Sequence, residues 1–360
     1  MNNPTQPHLR TSLLNSLVLL CTILLLLPHA VSASECGKSE GGQLRLQVLT
    51  VNLLFSEIET RDERLERIAA FIADPDGDGN PDDPVDVVLL QESVEGALVG
   101  TESSALDLKN ILRQGSGLEY ELRTAFQVGV PGLLSVANAT LSLCDIRLKL
   151  VKRFSRASEI EFNGRVIKLP RNVLMTRLEI PGNGRLNVYN THLCSRCGIL
   201  EKGERAQQVG ELLEFVNNVE GYFAPFSVNP IIMGGDFNII SFKDNNDPPD
   251  PNNNPQDNID AYKEILRSGF IDLYALQNGD AESLCNPNNN TISDFPDEHC
   301  TVDVTELGDN NPARIDYFFG GQLGNEPVAD ARVVFNTAVD SSQPTVSDHA
   351  GLFMTLKLPR

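Results

Sequence analysis

The chain has 360 residues, with 29 Lys and Arg against 49 Asp and Glu, a net charge of −20, and 41% hydrophobic positions. This composition excludes intrinsic disorder, and the length excludes a small disulfide-stapled module. The negative charge disfavours non-specific binding to a phosphate backbone, which a surface of like sign repels unless a basic patch or a bound metal intervenes.

Arg10 precedes the apolar run 17–27, Pro28 ends it, and Val31-Ser32-Ala33 supplies the small residues of a cleavage site. Residues 1–33 read as a secretory signal peptide, and residues 34–360 as one exported domain. The run is about half the roughly 20 residues a spanning helix requires, so a retained anchor is the weaker alternative. Loss of the leader removes Arg10 and shifts the charge to −21, leaving Cys36, Cys144, Cys194, Cys197, Cys285 and Cys300. An even set in an exported chain implies disulfides. Cys194 and Cys197 are close enough for a local bridge, and Cys285 with Cys300 would close the loop between them. A redox-active or zinc-binding CxxC is disfavoured, because no second CxxC and no Cys-His pair at zinc spacing accompanies it.

Segments 44–55 and 85–91 read as buried strands rich in Val and Leu, and Leu65, Ile68, Ala69 and Ile72 recur between them at helical spacing. Strands near 133–137, 146–151 and 172–180 follow with no long helix between them. Segments 187–193 and 231–235 are further strands, joined by a helix marked by Val209, Leu212, Leu213 and Val216, and 313–320 and 350–358 complete the set. The mixture predicts an α/β fold in which two mixed sheets pack together under outer helices.

Polar residues interrupt these strands in chain order. Asn52 breaks the first, Glu92 ends the second, His192 ends NVYNTHL, Asp236 and Asn238 close IIMGGDFN, Asp316 lies in ARIDYFF, and Asp348-His349 precede the last strand. Each has an ordinary structural reading as a turn residue, a cap, an Asx-turn or an ion-pair partner. Six in order are hard to assign to turns alone, and strand ends are where ligands and metals sit.

The order TVN (50–52), LLQES (89–93), NTHL (190–193), GGDFN (234–238), RIDYFF (314–319) and SDH (347–349) resembles the endonuclease/exonuclease/phosphatase superfamily over residues 44–358. The resemblance implies a DNase I-like four-layer α/β sandwich and a metal-dependent phosphoric diester hydrolase. By similarity, Asp236 orients or deprotonates the attacking water and Asn238 holds a phosphate oxygen. Asp316 pairs with His349, and His192 contacts phosphate and protonates the leaving oxygen. Either histidine could be the acid. Asn52, Glu92 and Asp348 are the implied ligands of Mg2+, with Mn2+ as the alternative ion; hard oxygen donors in a sparse set suit it. His299 matches no motif and reads as a loop residue.

Two features depart from the family pattern. Family members often carry a basic residue after the ILS strand and a Lys-Gly pair before the next. Here Val136-Ala137-Asn138 follow Gly132-Leu-Leu-Ser135, and the later position reads Arg171-Asn172. No Lys/Arg stripe with interleaved aromatics is visible, and Trp is absent.

Asp74, Asp76, Asp78, Asn80 and Asp82 resemble the start of a calcium loop, although Val85 stands where the closing Glu would be. They are read as a structural Ca2+ site, with a solvated acidic turn as the alternative. Segment 244–257 is Pro/Asn/Asp-rich and reads as a flexible rim. Export, acidity, disulfides and the Arg205-Ala-Gln207-Gln208 helix favour a sphingomyelinase-C-like enzyme acting on phospholipid, with peripheral membrane contact. Segment 221–226 (GYFAPF) is the candidate contact loop. A DNase I-like extracellular endonuclease is the alternative substrate reading, and a non-catalytic binding protein is disfavoured by the complete residue set. No protein partner is evident.

Overall fold

The computed structural model describes residues 36–54, 59–79, 83–162, 165–182, 184–195, 204–240, 255–279, 285, 299–302, 313–336 and 346–358. Residues 1–33, expected to be a signal peptide, and Asn80, Asp82, Cys197 and most of segment 244–257 lie outside them; Pro255 opens a helix within that segment. All the described residues fall in the unit Ser34–Arg360.

Two mixed sheets form the core. The first contains β1 (Lys38–Glu40), β2 (Gln43–Asn52), β3 (Val87–Glu95), β4 (Glu121–Val130), β5 (Leu134–Ser142), β12 (Val328–Val334) and β13 (Gly351–Leu358). Its order is β12-β13-β2-β3-β5-β4, with β1 paired to β2. The second contains β6 (Asp145–Phe162), β7 (Arg165–Ile180), β8 (Gly184–His192), β9 (Ile231–Asp236), β10 (Ile271–Asp272) and β11 (Asp316–Gly321), in the order β10-β11-β9-β8-β7-β6. β2 with β3 and β8 with β9 run parallel; every other neighbouring pair is antiparallel.

The period of two in each strand sorts residues between layers. Leu46, Val48, Val87 and Leu89 face the second sheet, where they meet Leu186, Val188, Ile232 and Phe318. Their alternates Leu49, Val51, Val88 and Leu90 face outward onto α1 (Arg61–Ala73) and α2 (Ser104–Ser116). Tyr189, Met233, Tyr317 and Phe319 pack outward against α3 (Glu204–Phe223) and α4 (Pro255–Arg267). Strands covered on both faces read as continuous apolar runs, which is why β2 and β3 stand out in the sequence. The layers are therefore helix, sheet, sheet, helix, with a short α5 (Leu273–Asn278) at the β10 side. Full burial of one such aliphatic side chain contributes about 1.5–3 kcal/mol.

The sheets are also joined by a buried amide. Asn190 accepts a hydrogen bond from Gln91 Nε2 at 2.8 Å and donates to the Ala139 and Leu90 carbonyls at 2.7 and 3.2 Å. Cys285 and Cys300 are bridged as the spacing suggested, and Cys36 is bridged to Cys144 across 108 residues. Cys194 is disulfide-bonded as well. No helix among the described residues is long and apolar enough to cross a membrane.

Candidate active site

The carboxyl ends of β2, β8 and β9 converge on one pole, and the sequence reason differs at each. β2 ends in Asn52, whose Nδ2 donates to Asp236 Oδ2 at 3.1 Å while its Oδ1 accepts the Leu54 N–H at 3.0 Å. β8 and β9 are in register with His192 opposite Asp236, and β11 places Asp316 on the other side of Asp236. The GGD segment is needed because β9 bends sharply there. Gly235 has φ +131°, and a Cβ at that position would lie 2.1 Å from the Thr191 carbonyl oxygen.

Glu92 corrects the sequence reading, which ended the strand at this residue. β3 continues to Glu95, and Glu92 lies in a break of register between Leu90 and Ser93 with φ +56°. A non-glycine residue in this region marks a locally strained backbone. The bulge leaves the Glu92 side chain partly exposed, with Oε1 3.9 Å from His192 Nδ1.

Asp236 is the hub of the site. Its Oδ1 accepts the Asn238 N–H at 2.9 Å, and Asn238, itself at φ +51°, donates from Nδ2 to the Leu193 carbonyl at 3.1 Å. Its Oδ2 lies 3.3 Å from His192 Nε2 and 3.8 Å from His349 Nε2. Burial, reinforced by the nearby Asp316 and Glu92 charges, pushes the Asp236 carboxyl up to about 7. His349 Nδ1 lies 2.9 Å from Asp316 Oδ2. Burial alone would lower this imidazole, but Asp316 and Asp236 outweigh it and hold His349 well above the usual histidine range. His192 moves the opposite way: burial, with the charges of Arg171 and His349, keeps it well below that range. The two histidines beside one carboxylate are thus shifted in opposite directions.

Asp348 is half-buried beside His349 and accepts from Ser347 Oγ at 3.1 Å. The donor chemistry of Asn52, Glu92 and Asp348 fits a hard divalent cation, since all three offer oxygen and Asn52 Oδ1 keeps a second lone pair. Asp236, Asp316 and His349 also present ligand atoms within 4.8 Å of one another, here joined by the imidazole–carboxylate contacts. Asp74, Asp76 and Asp78 are the other such group among the described residues, in the loop after α1 and so at the opposite pole. His299 bonds Tyr274 Oη through Nδ1 at 2.7 Å.

Arg171 was visible in the sequence only as a departure from a motif. It is buried in the site, with Nη1 3.1 Å from His192 Nδ1. Nothing in the local pattern of β7 distinguishes it from the surface arginines of the same hairpin.

Two sheets capped by helices, with these side chains at their converging ends, define the DNase I-like α/β sandwich. The sequence model of the Endonuclease/Exonuclease/phosphatase family matches residues 49–349, and the chain belongs to that family. Among solved structures, a family protein from Leptotrichia buccalis aligns with TM-score 0.55 at 21% identity, covering 86% of this chain and 99% of its own. One from Beutenbergia cavernae gives 0.57 at 18%, covering 87% and 72%. The human Nocturnin catalytic domain, solved with bound sulfate, gives 0.51 at 16%, covering 87% and 94%. No curated protein sequence matches the chain.

Proposed function

We propose that the chain is an exported, divalent-metal-dependent phosphodiesterase. The observation that carries this reading is the convergence on Asp236, whose Oδ2 lies 3.3 Å from His192 Nε2 and 3.8 Å from His349 Nε2, with Asp316 Oδ2 2.9 Å from His349 Nδ1. Asp236 takes the proton of the attacking water, for which a value near working pH is best suited. His349, charged, stabilises the negative charge that builds on the phosphoryl oxygens, and Asn238 supplies a further donor. Asn52, Glu92 and Asp348 would hold Mg2+ or Mn2+, which would polarise the phosphoryl group and neutralise developing charge.

Disulfides Cys36–Cys144 and Cys285–Cys300 suit an oxidising compartment, in keeping with the leader at residues 1–33. The Asp74, Asp76 and Asp78 loop is proposed to take a structural Ca2+. Added Ca2+ should then raise the melting temperature by several degrees through mass action, and Asp76→Asn with Asp78→Asn should abolish the rise. An equal rise in the double variant would remove the calcium assignment.

The substrate follows from what surrounds the catalytic pole. Segment 221–226 is a poor contact loop: Tyr222, Phe226 and Val228 are exposed, but α3 leaves the catalytic pole and ends at Phe223, so they lie at the opposite one. A different apolar group borders the site. The β4–β5 turn runs a few residues beyond Glu92 and is pinned by the Ala97 and Leu98 N–H groups to the Gly132 and Leu133 carbonyls. It exposes Val130, Leu133 and Leu134, with Leu98 exposed on the segment that pins it, and carries no charge between Thr124 and Ser135. This rim favours a phospholipid surface, as in a sphingomyelinase-C-like enzyme. A nucleic-acid substrate is favoured by one other contact, the Arg153 guanidinium 5.8 Å over the half-exposed Phe126 ring, next to Lys152.

Sphingomyelin vesicles, plasmid DNA and a soluble bis-phosphoester, assayed in parallel with Mg2+, separate these readings. Leu133→Glu with Leu134→Glu should lower vesicle hydrolysis at least about tenfold while leaving the soluble ester unchanged, because charge at an inserted apolar tip costs several kcal/mol. Robust plasmid cleavage without phosphocholine release would transfer the assignment to an endonuclease. Retention of all activity in Asp236→Asn would refute the role of Asp236, and hydrolysis of none of the three substrates by the wild type would refute the phosphodiesterase itself.

A further inference from the structure

We propose that Arg171 is a positioning residue that locks His192 in its Nε2–H tautomer, with that nitrogen on the Asp236 side of the ring. The inference rests on the phosphodiesterase reading for its consequence, but its geometry stands alone. A guanidinium has five donors and no acceptor. With Arg171 Nη1 3.1 Å from His192 Nδ1, that ring nitrogen must offer its lone pair, because two facing N–H groups would repel. The ring hydrogen is then on Nε2, which lies 3.3 Å from Asp236 Oδ2. Glu92 Oε1, at 3.9 Å from Nδ1, is beyond hydrogen-bond reach and does not compete for that position.

The two histidines are oriented by opposite partners. Asp316, an acceptor, faces His349 Nδ1, whereas Arg171, a donor, faces His192 Nδ1. The nitrogen turned toward Asp236 is Nε2 in both rings, yet only His349 has a partner that favours a second proton. Arg171 therefore favours a single proton on His192, carried on the ring nitrogen nearer Asp236.

Arg171 is held rigidly enough for this task. It sits on β7 beside Asn172, whose Nδ2 donates to the Phe126 carbonyl at 2.8 Å and whose Oδ1 accepts from Asn138 Nδ2 at 3.1 Å, tying the strand to the first sheet. Burial lowers the Arg171 guanidinium from its usual value, and the nearby Glu92 and Asp236 carboxylates offset this only in part. A site built on strands and supported by such amides keeps its geometry better than one on loops.

The test reads the tautomer directly, by 15N NMR of histidine-labelled, metal-free protein, with the His192 signals assigned by comparison with His192→Gln. Wild type and Arg171→Lys should show His192 as Nε2–H, and Arg171→Met should show an Nδ1–H population. On the substrate that the parallel assays identify, Arg171→Met should lower kcat on the order of 100-fold with KM within about twofold, and Arg171→Lys should recover most of the loss. An Nδ1–H ring in wild type overturns the proposal, even if Arg171→Met fails to fold. A raised KM with unchanged kcat overturns it too, since that would make Arg171 a substrate-binding residue. If no phosphodiester is hydrolysed while the tautomers behave as expected, the functional reading fails and the positioning role stands.

Discussion

His349→Ala and Asp236→Asn are each expected to lower the turnover rate by about three orders of magnitude or more without unfolding the protein, since both act on charge that develops in the transition state. The pH profiles should identify the two groups. In wild type the rate should rise as pH passes about 7, where Asp236 loses its proton and becomes a base, and this limb should vanish in Asp236→Asn. The falling limb belongs to His349, which stays charged well above the usual histidine range because of Asp316. Asp316→Asn removes that charge, so it should cost less than His349→Ala and move the falling limb to lower pH. The double variant Asp316→Asn with His349→Ala should be no worse than His349→Ala alone. Additive losses would break the proposed pair, because residues acting through one hydrogen bond at 2.9 Å cannot contribute independently.

Glu92→Gln is expected to raise the Mg2+ concentration required for half-maximal activity by about 10- to 100-fold, with partial recovery at saturating metal. The substitution keeps the shape of the side chain and leaves the φ +56° backbone of the bulge in place, so it tests charge alone. Removing one anionic oxygen from a site with few protein ligands weakens the cation strongly, whereas removing a surface carboxylate would not. Wild-type Mg2+ dependence in Glu92→Gln would show that the metal is held elsewhere. Asp236, Asp316 and His349, whose ligand atoms lie within 4.8 Å of one another, would then be the group to test.

The sequence by itself determined the fold class and marked most of the polar residues of the candidate site, for a local physical reason. A strand covered on both faces is a run of Val, Leu and Ile, so a polar residue at its end is conspicuous, and Asn52, His192, Asp236, Asp316 and His349 were all legible in this way. Helices α1 and α3 were legible from apolar spacing, whereas α2, α4 and the edge strands β4 and β12, with weaker or mixed patterns, were not assigned.

Tertiary structure decided what depends on pairing between distant segments. Leu90 and Ser93 re-pair with Ala139 and Ala137 of β5, which places Glu92 in a bulge where the sequence suggested a strand end. Arg171 and His192 are 21 residues apart, and Arg153 and Phe126 are 27 apart. No pattern of period two or 3.6 carries such contacts. The pole to which an exposed apolar loop belongs is equally invisible in the chain, because it depends on whether the preceding element runs toward the strand ends or away from them. That direction sets GYFAPF far from the catalytic row and the uncharged β4–β5 turn beside it.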